Sequence, residues 1–179
     1  MLVQENTGLV VVDIQGKLAR LVHDSDTFIS NCVRLIQGAK ALDLPVIFLE
    51  HNPEKLGSTV EELDSLLNES DAIKKYTFNA CDAPDFVESV SSKGVNTWLI
   101  CGMEAHVCVY QTAKGLINLG YKVALVSDCI SSRSPANIQL GIDCLKNSGV
   151  DATGLEMCLY ELVKDSRSPV FKKILELIR

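Results

Sequence analysis

Apolar and polar positions along this chain alternate on two length scales. Short runs rich in β-branched residues lie at 8–13, 45–50, 97–101 and 122–127, with a weaker one near 150–153. Between them the apolar residues recur at helical spacing, near 24–41, 59–67, 83–93, 106–119, 135–148, 155–162 and 169–178. Strand-length apolar runs that alternate with amphipathic helices predict an α/β fold whose parallel sheet is covered on both faces. The punctuation agrees. Asn118-Leu119-Gly120 and Asn147-Ser148-Gly149 end helices on glycine, while Ser134-Pro135 and Ser168-Pro169 open them. No repeat, low-complexity run or linker interrupts the pattern, so residues 1–179 are read as one domain. The least regular stretch, 50–83, is expected to be an excursion that covers a pocket.

One stretch joins this pattern to chemistry. Leu99-Ile100-Cys101-Gly102-Met103-Glu104-Ala105-His106-Val107-Cys108-Val109 reads as a buried strand that passes through a glycine turn into a helix, with Cys108 at the helix start. Unpaired N–H groups and partial positive charge at a helix N-terminus favour a thiolate. Leu9-Val10-Val11-Val12-Asp13 is an apolar strand that ends in a carboxylate, and Ile73-Lys74-Lys75-Tyr76-Thr77-Phe78 supplies an ammonium. In a doubly wound sheet, ligands bind beyond the carboxyl ends of the strands, where the strand order reverses. Strands one and four in chain order are expected to flank that point. There Asp13 is a candidate base, Cys108 a candidate nucleophile, and Lys75 a cation that stabilises both the thiolate and an anionic intermediate. Singly, each residue has a plainer reading, as a buried structural cysteine, a loop-capping aspartate and a surface lysine.

Composition narrows the function classes. With 47% hydrophobic residues in 179, the chain can bury a sizeable core. The start Met1-Leu2-Val3-Gln4-Glu5 lacks a basic-then-apolar leader and the apolar runs are strand-sized, so no membrane association and a cytoplasmic location are expected. Seven cysteines without regular spacing suit neither a disulfide framework nor a paired-cysteine zinc site. A net charge of −6 opposes nucleic acid as a partner.

Four motifs resemble those of the isochorismatase-like cysteine hydrolases: Val12-Asp13-Ile14-Gln15, Lys75-Tyr76-Thr77-Phe78-Asn79-Ala80, Gly102-Met103-Glu104-Ala105-His106-Val107-Cys108-Val109, and Ser127-Asp128-Cys129-Ile130-Ser131-Ser132-Arg133-Ser134. The resemblance covers nearly the whole chain. It is nearest to the small isochorismatase-domain hydrolases of undefined substrate, through Asp13-Ile14-Gln15-Gly16-Lys17-Leu18-Ala19 and Lys55-Leu56-Gly57-Ser58-Thr59. It implies a three-layer αβα sandwich with a Rossmann-like parallel sheet of about six strands, and a homo-oligomer of two or more chains. It also implies a triad of Asp13, Lys75 and Cys108. Lys75 is selected over Lys74 by counting back from Phe78-Asn79-Ala80. A cis peptide is implied at Met103-Glu104, with the N–H groups of Glu104 and Cys108 as an oxyanion hole. The chain departs from the nicotinamidase branch, whose second strand is followed by an Asp and two His that hold a metal. Here His51 stands with only Glu50 and Glu54 nearby, so neither metal nor cofactor is expected.

The leading expectation is hydrolysis of a small amide or related C–N substrate by thiol attack through a thioester. Two other classes compete: a catalytically silent scaffold that keeps the fold for partner contacts, and a thiol redox sensor that resolves Cys108 with Cys101 or Cys81. His51 and Arg133 are candidate pocket residues, Arg133 either binding a substrate carboxylate or pairing with a surface acid. His23 and His106 read as polar residues of helix starts, and Trp98 as sheet interior or subunit interface.

Overall fold

The computed structural model describes residues 1–67 and 72–179; residues 68–71, part of the 50–83 excursion, lie outside the described residues. In chain order the elements are β1 (Thr7–Val12), α1 (Ser25–Ala41), β2 (Val46–His51), single turns α2 (Pro53–Leu56) and α3 (Glu61–Asp64), β3 (Ile73–Lys75) and α4 (Pro84–Ser92). Then follow β4 (Thr97–Met103), α5 (Tyr110–Asn118), β5 (Lys122–Ser131), α6 (Pro135–Asn147), β6 (Asp151–Thr153), α7 (Leu155–Val163) and α8 (Phe171–Ile178). The six strands are parallel, in the order β3-β2-β1-β4-β5-β6.

All six residues of β1 are buried, which explains its unbroken apolar run: β1 is central and both faces are covered. Leu9 and Val11 point to one side, where Phe28, Cys32 and Leu35 of α1 meet Cys158 and Leu159 of α7. Val10 and Val12 point to the other, toward Phe86 of α4, Leu116 of α5 and Leu145 of α6. Helices therefore form a layer on each face, giving the three-layer αβα sandwich. Each fully buried aliphatic side chain contributes about 1.5–3 kcal/mol on leaving water. Trp98 is wholly buried on the α5 side, edge-on to Tyr121 and lying over Gly8, where any Cβ would fall 2.4 Å from the indole. Among the described residues no helix is long and apolar enough to cross a membrane.

Four elements differ from the pattern-based expectation. β3 is a three-residue strand that runs Ile-Lys-Lys, too short and too charged to register as an apolar run. The helix expected at 59–67 contracts to the turn Glu61–Asp64, because Thr59 bridges to Gln15 and is held by the buried Glu50. β5 runs four residues past its expected end. A bulge lets it resume pairing, from Leu125 opposite Ile100 to Ile130 opposite Gly102, so a polar stretch stays in the sheet. The helix expected at 106–119 begins as α-helix only at Tyr110.

Candidate active site

The strand order reverses between β1 and β4, and the residues of interest gather beyond the carboxyl ends of those two strands. Asp13 follows β1 in a left-handed conformation, φ 52°, which turns the chain out of the sheet. Its N–H still donates to the Leu49 carbonyl at 3.2 Å, so the residue is tied to β2. Lys75 closes β3 with its backbone opposite His51. Strand alternation sends Lys74 to solvent and Lys75 inward, where it is 1% exposed. The Lys75 ammonium passes the end of β2 to reach Asp13 Oδ2 at 2.7 Å, and also donates to the Thr77 carbonyl at 3.1 Å.

Cys108 arrives from β4. Gly102 has φ 122°, and a Cβ there would sit 2.1 Å from the Val12 carbonyl oxygen, so only glycine lets β4 finish this close to the end of β1. The Met103-Glu104 peptide bond is cis. The Glu104 carbonyl then accepts from Val107 N–H at 3.0 Å and Val109 N–H at 3.2 Å, closing a wide turn over Ala105–Val109. Cys108 lies in this turn, ahead of α5 and not in its first α-turn, and is buried at 8% exposure. Wide turns of this kind occur as short insertions, frequently at functional sites.

The expected thiolate is not the resting state. Burial, and next the negative Asp13, push the Cys108 thiol up to about 12; Lys75 acts in the opposite direction and Glu104 adds to the rise. The reason is spatial. Lys75 is spent on Asp13, so the sulfur faces a buried carboxylate before it faces a cation. A thiol beside a carboxylate is a proton donor facing its acceptor, and among the described residues Asp13 Oδ1 is buried without another hydrogen-bond partner.

Asp13, Cys108, Glu104 and His51 share a cavity of about 200 Å³ with Leu18, Leu56, Phe78, Met103 and Val107. His51 stacks on Phe78 with ring centroids 5.2 Å apart. Gln15 holds the loops on this side: its amide donates to the Gly57 and His51 carbonyls and accepts from the His51 N–H. Arg133, a candidate pocket residue in the sequence, is instead largely exposed and pairs with Glu104 at 3.0 Å without lining the cavity. Arg133 follows a strand that ends beside the turn, so its guanidinium meets the Glu104 carboxylate from behind. His106 points the same way, its Nδ1 3.0 Å from Ser132 Oγ and 3.7 Å from the Glu104 carboxylate. The Glu104 side chain, Gln15 and the apolar wall escaped sequence reasoning; an acid amid apolar residues four positions before the cysteine was the available signal.

Cys32, Cys101, Cys129 and Cys158 are packed away, while Cys81 and Cys144 are half-buried. Cys101 joins Cys32, Cys129 and Cys158 in the core between the sheet and α1/α7, the opposite face from Cys108, which removes it as a resolving thiol. Burial first raises the Cys32, Cys129 and Cys158 thiols, and it lifts Cys81 to about 12.

Fold and site together define a three-layer αβα protein with a buried Cys–Asp–Lys cluster at the switch point of a parallel sheet. The chain belongs to the isochorismatase family: the isochorismatase domain model matches residues 7–157, and the fold is that family's hydrolase fold. It is 32% identical to isochorismatase domain-containing protein 2 of Xenopus laevis over 98% of this chain and 84% of that protein. A structure described as the MAR1 ribonuclease of Caenorhabditis elegans superposes with a TM-score of 0.92 at 34% identity, covering 99% of this chain and 91% of that one. The Escherichia coli YcaC product, described as an octameric hydrolase of unknown specificity, superposes at 0.93 with 26% identity, covering 98% and 89%.

Proposed function

We propose that this protein is a cysteine-dependent hydrolase of a small amide or related C–N substrate, with Asp13, Lys75 and Cys108 as its catalytic triad. The observation that carries the reading is the buried Lys75–Asp13 pair at 2.7 Å, in a cavity wall that Asp13 shares with the Cys108 thiol. Cys108 starts as a thiol, so its proton passes to Asp13 as the sulfur attacks the substrate carbonyl carbon. The carbonyl oxygen becomes an oxyanion, for which the N–H groups of Glu104 and Cys108 are the proposed donors. Collapse breaks the C–N bond, and Asp13 returns the proton to the departing nitrogen. A thioester remains on Cys108. Asp13 then takes a proton from water, which adds to the thioester carbonyl; the carboxylic acid leaves and the sulfur recovers its proton.

The test is a panel of small amides, ureides and carbamoyl compounds, read by ammonia or amine release and by a mass adduct on Cys108. Because the C. elegans protein is described as a ribonuclease, RNA belongs in the panel, although this chain's charge of −6 opposes it. RNA cleavage without amide turnover would overturn the reading, and no turnover with any compound would favour a silent scaffold. The E. coli homologue is described as octameric, which supports a homo-oligomer here, to be measured by light scattering.

Two further results are expected. Lys75→Met removes a cation that lowers the Cys108 thiol, so alkylation of Cys108 slows at every pH below about 12. Lys74→Met, at an exposed position, leaves the alkylation profile unchanged; the reverse pattern would reassign the triad lysine. Breaking a buried pair costs about 3–5 kcal/mol, so the Lys75→Met rate is read on protein whose fold is checked by circular dichroism. The second result concerns metal. Glu50 accepts from Thr59, Glu54 accepts from Tyr76, and among the described residues no three His, Cys, Asp or Glu side chains converge on a metal site. Protein prepared without chelator is expected to carry no stoichiometric transition metal and to keep its activity in EDTA. About one metal per chain, with activity lost on its removal, would overturn this.

A further inference from the structure

We propose that the cavity selects uncharged or cationic substrates whose N–H groups donate to its wall, and that Glu104 is the residue that turns anions away. The inference rests on the reading above, since it concerns the ligand presented to Cys108.

Its basis is the placement of charge. Asp13 pairs with Lys75 at 2.7 Å, and Glu104 pairs with Arg133 at 3.0 Å and stands 3.7 Å from His106 Nδ1; both acids line the cavity while Lys75, Arg133 and His106 do not. Among the described residues, one carboxylate oxygen of each acid is buried without a hydrogen-bond partner: Asp13 Oδ1, on the acid beside the Cys108 thiol, and Glu104 Oε2, 3.7 Å from His106 Nδ1. A buried acceptor left unpaired costs about 1–3 kcal/mol, and more for a charged group, so a ligand N–H that reaches one recovers that cost. Gln15 competes for no ligand, because its donors and its acceptor are engaged with His51 and Gly57. His51 Nδ1 is a third such buried atom without a partner among the described residues. The rest of the wall is apolar, and about 200 Å³ admits only a small molecule. A substrate carboxylate would find two carboxylates and, among the described residues, no lining Lys or Arg, whereas an amide or amidine NH₂ finds acceptors.

The experiment needs no identified substrate. Iodoacetamide and iodoacetate are the same size; each forms an S–CH₂ bond, releases iodide and leaves the thiol proton to solvent or Asp13. They differ in presenting an NH₂ donor or a carboxylate anion. Rates at Cys108, followed by peptide mass mapping to exclude Cys81 and Cys144, are divided by the rates on free glutathione. The amide-to-acid ratio on Cys108 is expected to exceed that on glutathione by tenfold or more. Glu104→Gln raises both rates, since the acid holds the thiol up, but the ratio cancels thiolate fraction and is expected to fall several-fold toward the free-thiol value. A wild-type ratio equal to or below that of glutathione overturns the charge selection and leaves the thiol mechanism standing. A Cys108 inert to both reagents overturns both.

Discussion

Cys108→Ala is expected to fold as the parent chain does, form no covalent adduct and lose turnover by roughly 10⁴–10⁶-fold. The fold should survive because the change deletes one small buried group, costing about 1 kcal/mol, and breaks no hydrogen bond on which the turn at Ala105–Val109 depends. That turn is closed by backbone contacts to the Glu104 carbonyl, which alanine keeps. The chemistry should vanish because among the described residues no other thiol lines the cavity: Cys101 lies across the sheet, and Cys81 is not part of the wall. Ammonia release and intact-protein mass with the best substrate of the panel are the measurements. Turnover by Cys108→Ala near the parent rate would end the thiol mechanism, while a normal rate with no adduct in either protein would point to direct attack by water.

Asp13→Asn is expected to lower turnover by roughly 10²–10⁴-fold and to raise Cys108 alkylation at the same time. The two readouts move in opposite directions for one reason. As a base, Asp13 receives the thiol proton and returns it to the leaving nitrogen, which an amide cannot do. As a charge, it is the largest electrostatic contribution holding the Cys108 thiol up to about 12, so neutralising it lowers that pKa and increases the thiolate at pH 8. Alkylation needs only the thiolate; hydrolysis needs the proton shuttle. The variant also strands the buried Lys75 ammonium, a loss of about 3–5 kcal/mol if the amide oxygen does not replace the carboxylate, so rates are normalised to folded protein by thermal melting. A near-parental rate of hydrolysis would reassign Asp13 to structure, and slower alkylation would contradict the electrostatic account.

The fold was legible wherever one periodicity dominated. The strands at 8–13 and 97–101 differ from the observed Thr7–Val12 and Thr97–Met103 by only a residue or two, because central strands buried on both faces leave little room for polar residues. Legibility failed where a local element is held by distant partners. β3 exists because it pairs with β2, not because Ile-Lys-Lys favours a strand. The turn at Glu61–Asp64 is short because Glu50 and Gln15 hold Thr59 extended just before it. In the site, Asp13, Lys75 and Cys108 were nameable, but not every orientation: Arg133, open to a ligand carboxylate or to a neighbouring acid, pairs with the acid Glu104.

By itself the sequence determined the α/β alternation, the strand–glycine–turn that presents Cys108, and the carboxylate at the end of the first strand. Each of these is encoded within a single segment, by burial on a 2-residue or 3.6-residue period and by a glycine where the backbone must pass close to its neighbour. The family resemblance named Lys75 as the partner of Asp13, but only the tertiary structure decided how closely the two meet, that Cys108 rests as a thiol, and that Asp13 and Glu104 line the cavity while Lys75 and Arg133 do not. Those outcomes depend on distances between segments that are 62 residues apart in the chain for Lys75 and Asp13, and on how far each charge is withdrawn from water. Coulombic and desolvation energies vary with separation and burial, neither of which local spacing contains.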